Sequence, residues 1–108
     1  MKLLLDENIP FHLYKDFPPQ HPAFSVNYMK WNALTNGELL RVMLKEGFDA
    51  LVTWDQNMEY QQNFQKYPIT VFVFCTLSND YETLSPLVPQ ILRALETGIK
   101  PGPVLITG

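Results

Sequence analysis

"KLLLDENIP" (residues 2–10) sets three leucines in a row directly before two acids and an amide. Successive side chains of a strand point to opposite faces, so a half-solvated strand alternates apolar and polar residues. Leu3, Leu4 and Leu5 do not alternate, and a strand built from them is apolar on both faces. Such strands belong to sheets covered on two sides, which are mostly parallel. "ALVTWDQN" (residues 50–57) repeats the arrangement, with Ala50, Leu51 and Val52 leading into Thr53, Trp54 and Asp55. Residues 69–74, rich in β-branched and aromatic side chains, are the strongest strand signal in the chain.

Helical patterns fall between these runs. Pro10 suits a first helical turn, Leu13, Tyr14 and Phe17 follow at helical spacing, and Pro18-Pro19 stops the run. Phe24, Val26 and Tyr28 alternate with polar residues, which predicts a further strand. After Thr35 the stripe Leu39, Leu40, Met43 and Leu44 predicts a helix closed by Gly47. A polar helix is expected over 58–64. Leu84, Leu87, Val88, Ile91, Leu92 and Leu95 predict a long amphipathic helix, with Pro89 tolerated in its first turn. Residues 104–106 read as a last strand, at an edge. The alternation of strands and helices predicts an α/β fold: a three-layer α/β/α sandwich around a mostly parallel sheet of about five strands, in one domain over residues 1–108.

The composition is that of a packed globular chain, 46% hydrophobic and 18% charged, with no low-complexity run. A formal net charge of −3 argues against a large basic face for duplex nucleic acid, since such binding needs many Lys and Arg contacts. It leaves room for an enzyme that meets a few phosphates through metal ions. A single cysteine, Cys75, cannot form an internal disulfide and suits a reducing compartment. The apolar run after Lys2 is far too short for a secretory segment, and nothing approaches a membrane span. The expectation is a cytoplasmic chain that does not enter membranes.

In open α/β sheets ligands bind beyond the carboxyl ends of the strands. Asp6 follows the first strand and Asp55 the third, so both belong to that edge. Thr53 and Asp55 project to one side and Trp54 to the other, which makes Trp54 a packing residue. Glu38 opens the helix that leads into the third strand, and helices in such folds start near the same edge. "TNGE" (residues 35–38) is also a capping box, in which Glu38 serves its own helix for about 1 kcal/mol. Three carboxylates at close range repel by about 4 kcal/mol per pair at an effective dielectric of about 20. A Mg²⁺ or Mn²⁺ ion relieves that repulsion, and all-oxygen ligation suits those ions. His12 and His21 are isolated and fit no zinc spacing.

With these residues in view, the chain resembles the small PIN-like domain family of prokaryotic proteins, relatives of the VapC-type toxin ribonucleases. The resemblance is carried by "KLLLDENIP" at 2–10, "NGELLRVMLKEGFDALVTWDQN" at 36–57, "YQQN" at 60–63 and the tail "LSPLVPQILRAL". It implies a PIN-like sandwich and a Mg²⁺- or Mn²⁺-dependent endoribonuclease, with Asp6, Glu38 and Asp55 as metal ligands and catalytic acids. Hydrolysis of a phosphodiester would follow, the metal activating water and neutralising phosphate charge. Thr53, Glu7 and Asn8 would support the ligands. Asn36 and Asn57 stand where relatives carry Asp; an amide ligates through oxygen but adds no charge, so the site is weaker than the all-acid form. Gln61, Gln62 and Asn63 would contact nucleic acid. The resemblance also implies RNA as substrate, a cognate antitoxin-type protein as partner, and a homodimer.

Plainer readings stand beside these. Glu7 and Asn8 suit caps of the following helix, Gln61, Gln62 and Asn63 a solvated helix face, and Tyr28 and Trp31 packing rather than base stacking. A PIN-like fold without catalysis would act as a binding or regulatory module. A phosphoreceiver-like domain is the remaining alternative, with Asp6-Glu7, Asp55, Thr76 and Lys100 as its elements. Its order is broken, because Lys100 precedes the final apolar run instead of ending it.

Overall fold

Strand β1 (Leu3–Leu5) lies second from the edge of a five-stranded parallel sheet, with β2 (Ala23–Ser25) on one side and β3 (Ala50–Thr53) on the other. Beyond β3 come β4 (Thr70–Cys75) and β5 (Gly102–Thr107), giving the order β2-β1-β3-β4-β5. The computed structural model describes residues 1–56 and 67–108. The helix expected over 58–64, with Asn57, Gln61, Gln62 and Asn63, lies outside the described residues.

The doubly apolar strands separate two cores. Leu3, Leu5, Ala50, Val52, Phe72 and Phe74 point to one face. They pack there with Leu13, Leu84, Val88, Ile91 and Leu95. Leu4, Leu51, Val71 and Val73 point to the other face and meet Val26, Leu39, Leu40, Met43 and Phe48. Alternate residues of one strand thus join different cores, as period two requires. The inner strands β1, β3 and β4 are covered on both faces and have no solvated side to display, whereas the edge strand β5 leaves Pro103, Leu105 and Thr107 exposed.

The helical segments follow local chemistry. Phe11–Asp16 forms a 3-10 turn that begins after Pro10 and ends at Phe17, ahead of Pro18-Pro19. The strand expected through Phe24, Val26 and Tyr28 stops at Ser25, where the short helix α1 (Val26–Met29) begins. The Ser25 hydroxyl accepts the Tyr28 N–H at 3.0 Å, and this N-cap turns the chain out of the ladder. Val26 remains buried while Tyr28 is exposed.

Helix α2 (Asn36–Lys45) buries Leu39, Leu40 and Met43, and Gly47 follows its end at φ +79°. Leu44, placed in the same stripe by its spacing, is partly solvated instead. The long helix expected from Leu84 begins earlier and is composite: α3 (Tyr81–Leu84), a 3-10 turn (Ser85–Leu87) and α4 (Val88–Thr97). Asp80 caps it by accepting the Thr83 N–H at 2.9 Å. Pro86 and Pro89 each remove a backbone donor, which breaks the α-helical ladder into segments. Among the described residues no helix is long and apolar enough to cross a membrane.

The strand order reverses direction between β1 and β3: from β1 the chain goes outward to β2, then returns to β3 and proceeds to the opposite edge. At such a switch point neighbouring connections leave in opposite directions and open a crevice at the carboxyl ends.

Candidate active site at the carboxyl ends of β1 and β3

The Asp6 backbone N–H donates to the Val52 carbonyl at 2.9 Å, extending the β1–β3 ladder one residue past β1. The side chains above this bond form a small network around Thr53, which is fully buried. Its hydroxyl donates to Asp6 Oδ2 at 2.8 Å and accepts the Asp55 N–H at 3.0 Å. Asp6 Oδ1 accepts the Glu7 N–H at 2.9 Å. Asn8 ties the two loops from the other side, accepting the Trp54 N–H at 3.1 Å and reaching the Thr53 hydroxyl through Nδ2 at 3.3 Å. A polar group buried at a strand end is costly unless bonded, and this network satisfies Thr53 while holding both acid-bearing loops.

Burial pushes the Asp6 carboxyl above its ordinary value of 3.8; bonds from Thr53 and Glu7 N–H oppose the shift, while the charges of Glu7 and Asp55 add to it. The charged form of Asp6 is therefore disfavoured chiefly by burial, and the neighbouring carboxylates add to this. It opens into a cleft of about 160 Å³ that Glu7, Asn8, Asn36 and Asp55 also line, with Trp31 and Asn32 on the α1 side.

Glu38 stands apart from that cleft. Its Oε1 accepts the Thr35 N–H at 2.9 Å and the Thr35 hydroxyl at 3.0 Å, and Glu38 N–H donates back to Thr35 Oγ1 at 3.3 Å. The capping box is complete, and these bonds hold the exposed Glu38 carboxyl below its ordinary value of 4.5. Residues two apart on an α-helix are separated by about 200°, so Asn36 and Glu38 leave different sides of α2, and with Glu38 held at Thr35 only one of them lines the cleft. Asn36 is the one that does. The structure thus brings Asp6 and Asp55 together with Asn36, and leaves Glu38 on its own helix end. Among the described residues no group of three His, Cys, Asp or Glu side chains is placed to hold a metal ion.

The chain matches no family model, no curated protein and no solved structure.

The remaining expected residues fall as follows. Asn8 does not cap the following turn: the residue at that position is Pro10, with no side-chain cap, and the Asn8 carboxamide is spent on Thr53 and Trp54. Trp54 packs against the core, and its indole N–H donates to Thr76 Oγ1 at 3.0 Å. Trp31 lines the cleft and also meets Phe48 edge-on at 5.6 Å between ring centroids. Asn32 in the cleft wall carries no sequence signal, since a lone loop Asn matches no motif. Lys100 lies at the other end of the sheet, where its carbonyl accepts the hydroxyl of Thr70, the first residue of β4, at 2.6 Å. Thr76 follows β4 on the acid-bearing edge. The backbone of Lys100 thus sits at the edge opposite the acids of the phosphoreceiver pattern.

Oxygen donors are what this cleft offers a cation. Mg²⁺ is commonly bound through one or two carboxylates with waters completing its shell. Asp6 and Asp55 meet that requirement, with Asn36 as a neutral oxygen donor beside them. An ion there would offset the burial that disfavours the Asp6 carboxylate, together with the Glu7 and Asp55 charges beside it.

Proposed function

We propose that this chain is a PIN-like, metal-dependent nuclease that hydrolyses phosphodiester bonds in RNA, with Asp6 and Asp55 as its anionic ligands for Mg²⁺ or Mn²⁺. The observation that carries the reading is the pair itself. Two carboxylates that follow strands distant in sequence line one cleft at the switch point, and Asp6 among them is half-buried. Support also comes from the resemblance of the residue blocks at 2–10 and 36–57 to the PIN-like family.

A cation of this class supplies neutralisation of phosphate charge and a lower pKa for water. The chain's own residues do the positioning. Thr53 fixes Asp6 Oδ2 and the Asp55 backbone with one hydroxyl, so the two ligands cannot drift independently. Asn36 presents a carboxamide without charge, which lowers affinity for a second ion. Glu38 joins the site only if it leaves Thr35, at the expense of the capping box. In the toxin reading the chain forms a homodimer and is held inactive by an antitoxin-type protein.

The test is Mn²⁺ titration by calorimetry together with cleavage of single-stranded RNA. Binding at about one equivalent, with cleavage lost in Asp6→Asn and Asp55→Asn, is the expected result. Mn²⁺ affinity unchanged by both substitutions would overturn the assignment. A second reading, a metal-binding module without cleavage, is favoured by the engaged Glu38 and the neutral Asn36. It predicts Mn²⁺ binding that depends on Asp6 with no RNA cleavage at any metal concentration.

A further inference from the structure

Asp55 borders two depressions. One is the acidic cleft shared with Asp6; the other lies toward β4, a groove of about 560 Å³. Its walls combine two apolar surfaces, Trp54 and Leu77, with the carboxamides of Gln56 and Asn79 and with Asn8, whose own carboxamide is engaged by Thr53 and Trp54. Leu77 is fully exposed at 105%, which leaves its isobutyl group open along the groove. Trp54 is fixed rather than loose. Its indole N–H is held by Thr76, whose hydroxyl donates onward to the Ser78 carbonyl at 2.6 Å. Asn79 is fixed as well: Nδ2 donates to the Asn8 carbonyl at 2.8 Å, which orients its carboxamide and leaves Oδ1 as an acceptor.

We propose that this groove is a nucleobase subsite, taking the base of a nucleotide whose phosphate lies at Asp6 and Asp55. Three features lead there. A base has apolar faces and an edge of mixed donors and acceptors, and carboxamides carry both functions in one plane. An indole and an isobutyl group offer the faces their contact. The volumes also divide the ligand: about 560 Å³ falls in the range of small-molecule sites, whereas about 160 Å³ suits a hydrated ion and a phosphate oxygen. Finally, Asp55 is common to both, so the ribose between base and phosphate would cross its ridge. The place given to the phosphate rests on the nuclease reading; base binding needs only the groove.

The two tryptophans, Trp31 and Trp54, separate the two sites experimentally, because Trp31 lines the acidic cleft and Trp54 the groove. In Trp31→Phe, with EDTA present, adenosine, guanosine, cytidine and uridine are titrated against Trp54 fluorescence. At least one nucleoside should quench saturably, and Asn79→Ala should weaken that binding roughly three- to tenfold, the loss of one hydrogen bond. The same titration followed on the Trp54 indole N–H resonance of the unsubstituted chain guards against a misfolded variant. Absence of saturation with all four nucleosides, or equal binding in Asn79→Ala, overturns the subsite. Saturable nucleoside binding in a chain that fails to bind Mn²⁺ retains the subsite and removes the nuclease reading; Mn²⁺ binding without nucleoside binding does the reverse.

Discussion

Thr53 Oγ1 lies 2.8 Å from Asp6 Oδ2, joining residues 47 positions apart in the chain. The same hydroxyl accepts the Asp55 N–H at 3.0 Å. One fully buried side chain therefore sets the position of both acid-bearing loops.

Thr53→Val keeps the shape and removes the hydroxyl. Asp6 Oδ2 and the Asp55 N–H each lose a partner in a partly buried setting, a loss of about 1–3 kcal/mol in stability by urea denaturation. Ligand-orienting residues of this kind commonly change metal affinity by about 10–100-fold, so Mn²⁺ binding should fall in parallel. Thr53→Ser, which keeps the donor and acceptor, should retain most of that affinity.

Asp6 makes stability depend on pH in a defined direction. Burial holds its folded-state carboxyl above the ordinary 3.8, so the folded chain keeps a proton that the unfolded chain has already released. Stability from this group is greatest below 3.8 and declines as pH rises through the folded-state value. Asp6→Asn should therefore raise the thermal midpoint at pH 7, and the gain should vanish in acid. Mn²⁺ should stabilise the unsubstituted chain and not Asp6→Asn, as differential scanning calorimetry with and without metal will show.

Glu38 can be tested in both of its roles. Gln supports a capping box as Glu does, so Glu38→Gln should leave stability nearly unchanged, while Glu38→Ala should lower it by roughly 1 kcal/mol. With its carboxylate held at Thr35, Glu38→Gln should leave Mn²⁺ affinity within about twofold, less than 0.5 kcal/mol. A tenfold loss would show that Glu38 reaches the ion.

Leu4 and Leu5 belong to different cores, and both are fully buried. Leu4→Ala and Leu5→Ala should each lower stability by about 2–5 kcal/mol. A sheet with one solvated face would show a large loss for only one of the two.

Local pattern carried much of this protein. The unbroken apolar runs at residues 3–5, 50–52 and 69–74 identified doubly covered parallel strands, because side-chain alternation is a property of the strand itself. The acids ending the first and third runs were assigned to one edge for the same reason, and Thr35 and Glu38 announced a capping box within four residues. Local pattern did not foresee that Ser25 would cap a helix inside an alternating stretch, since a strand and an N-cap both begin with extended backbone. Nor did it tell Asn36 from Glu38 as the group facing Asp6. Hydrophobic periodicity identifies the buried stripe of α2, but which first-turn polar residue meets the cleft depends on how that helix is seated on the sheet. The strand order, the burial of Thr53 and the place of Asn8 and Asp55 on the border of two depressions arise from contacts distant in sequence. They exist only once both faces of the sheet have been covered.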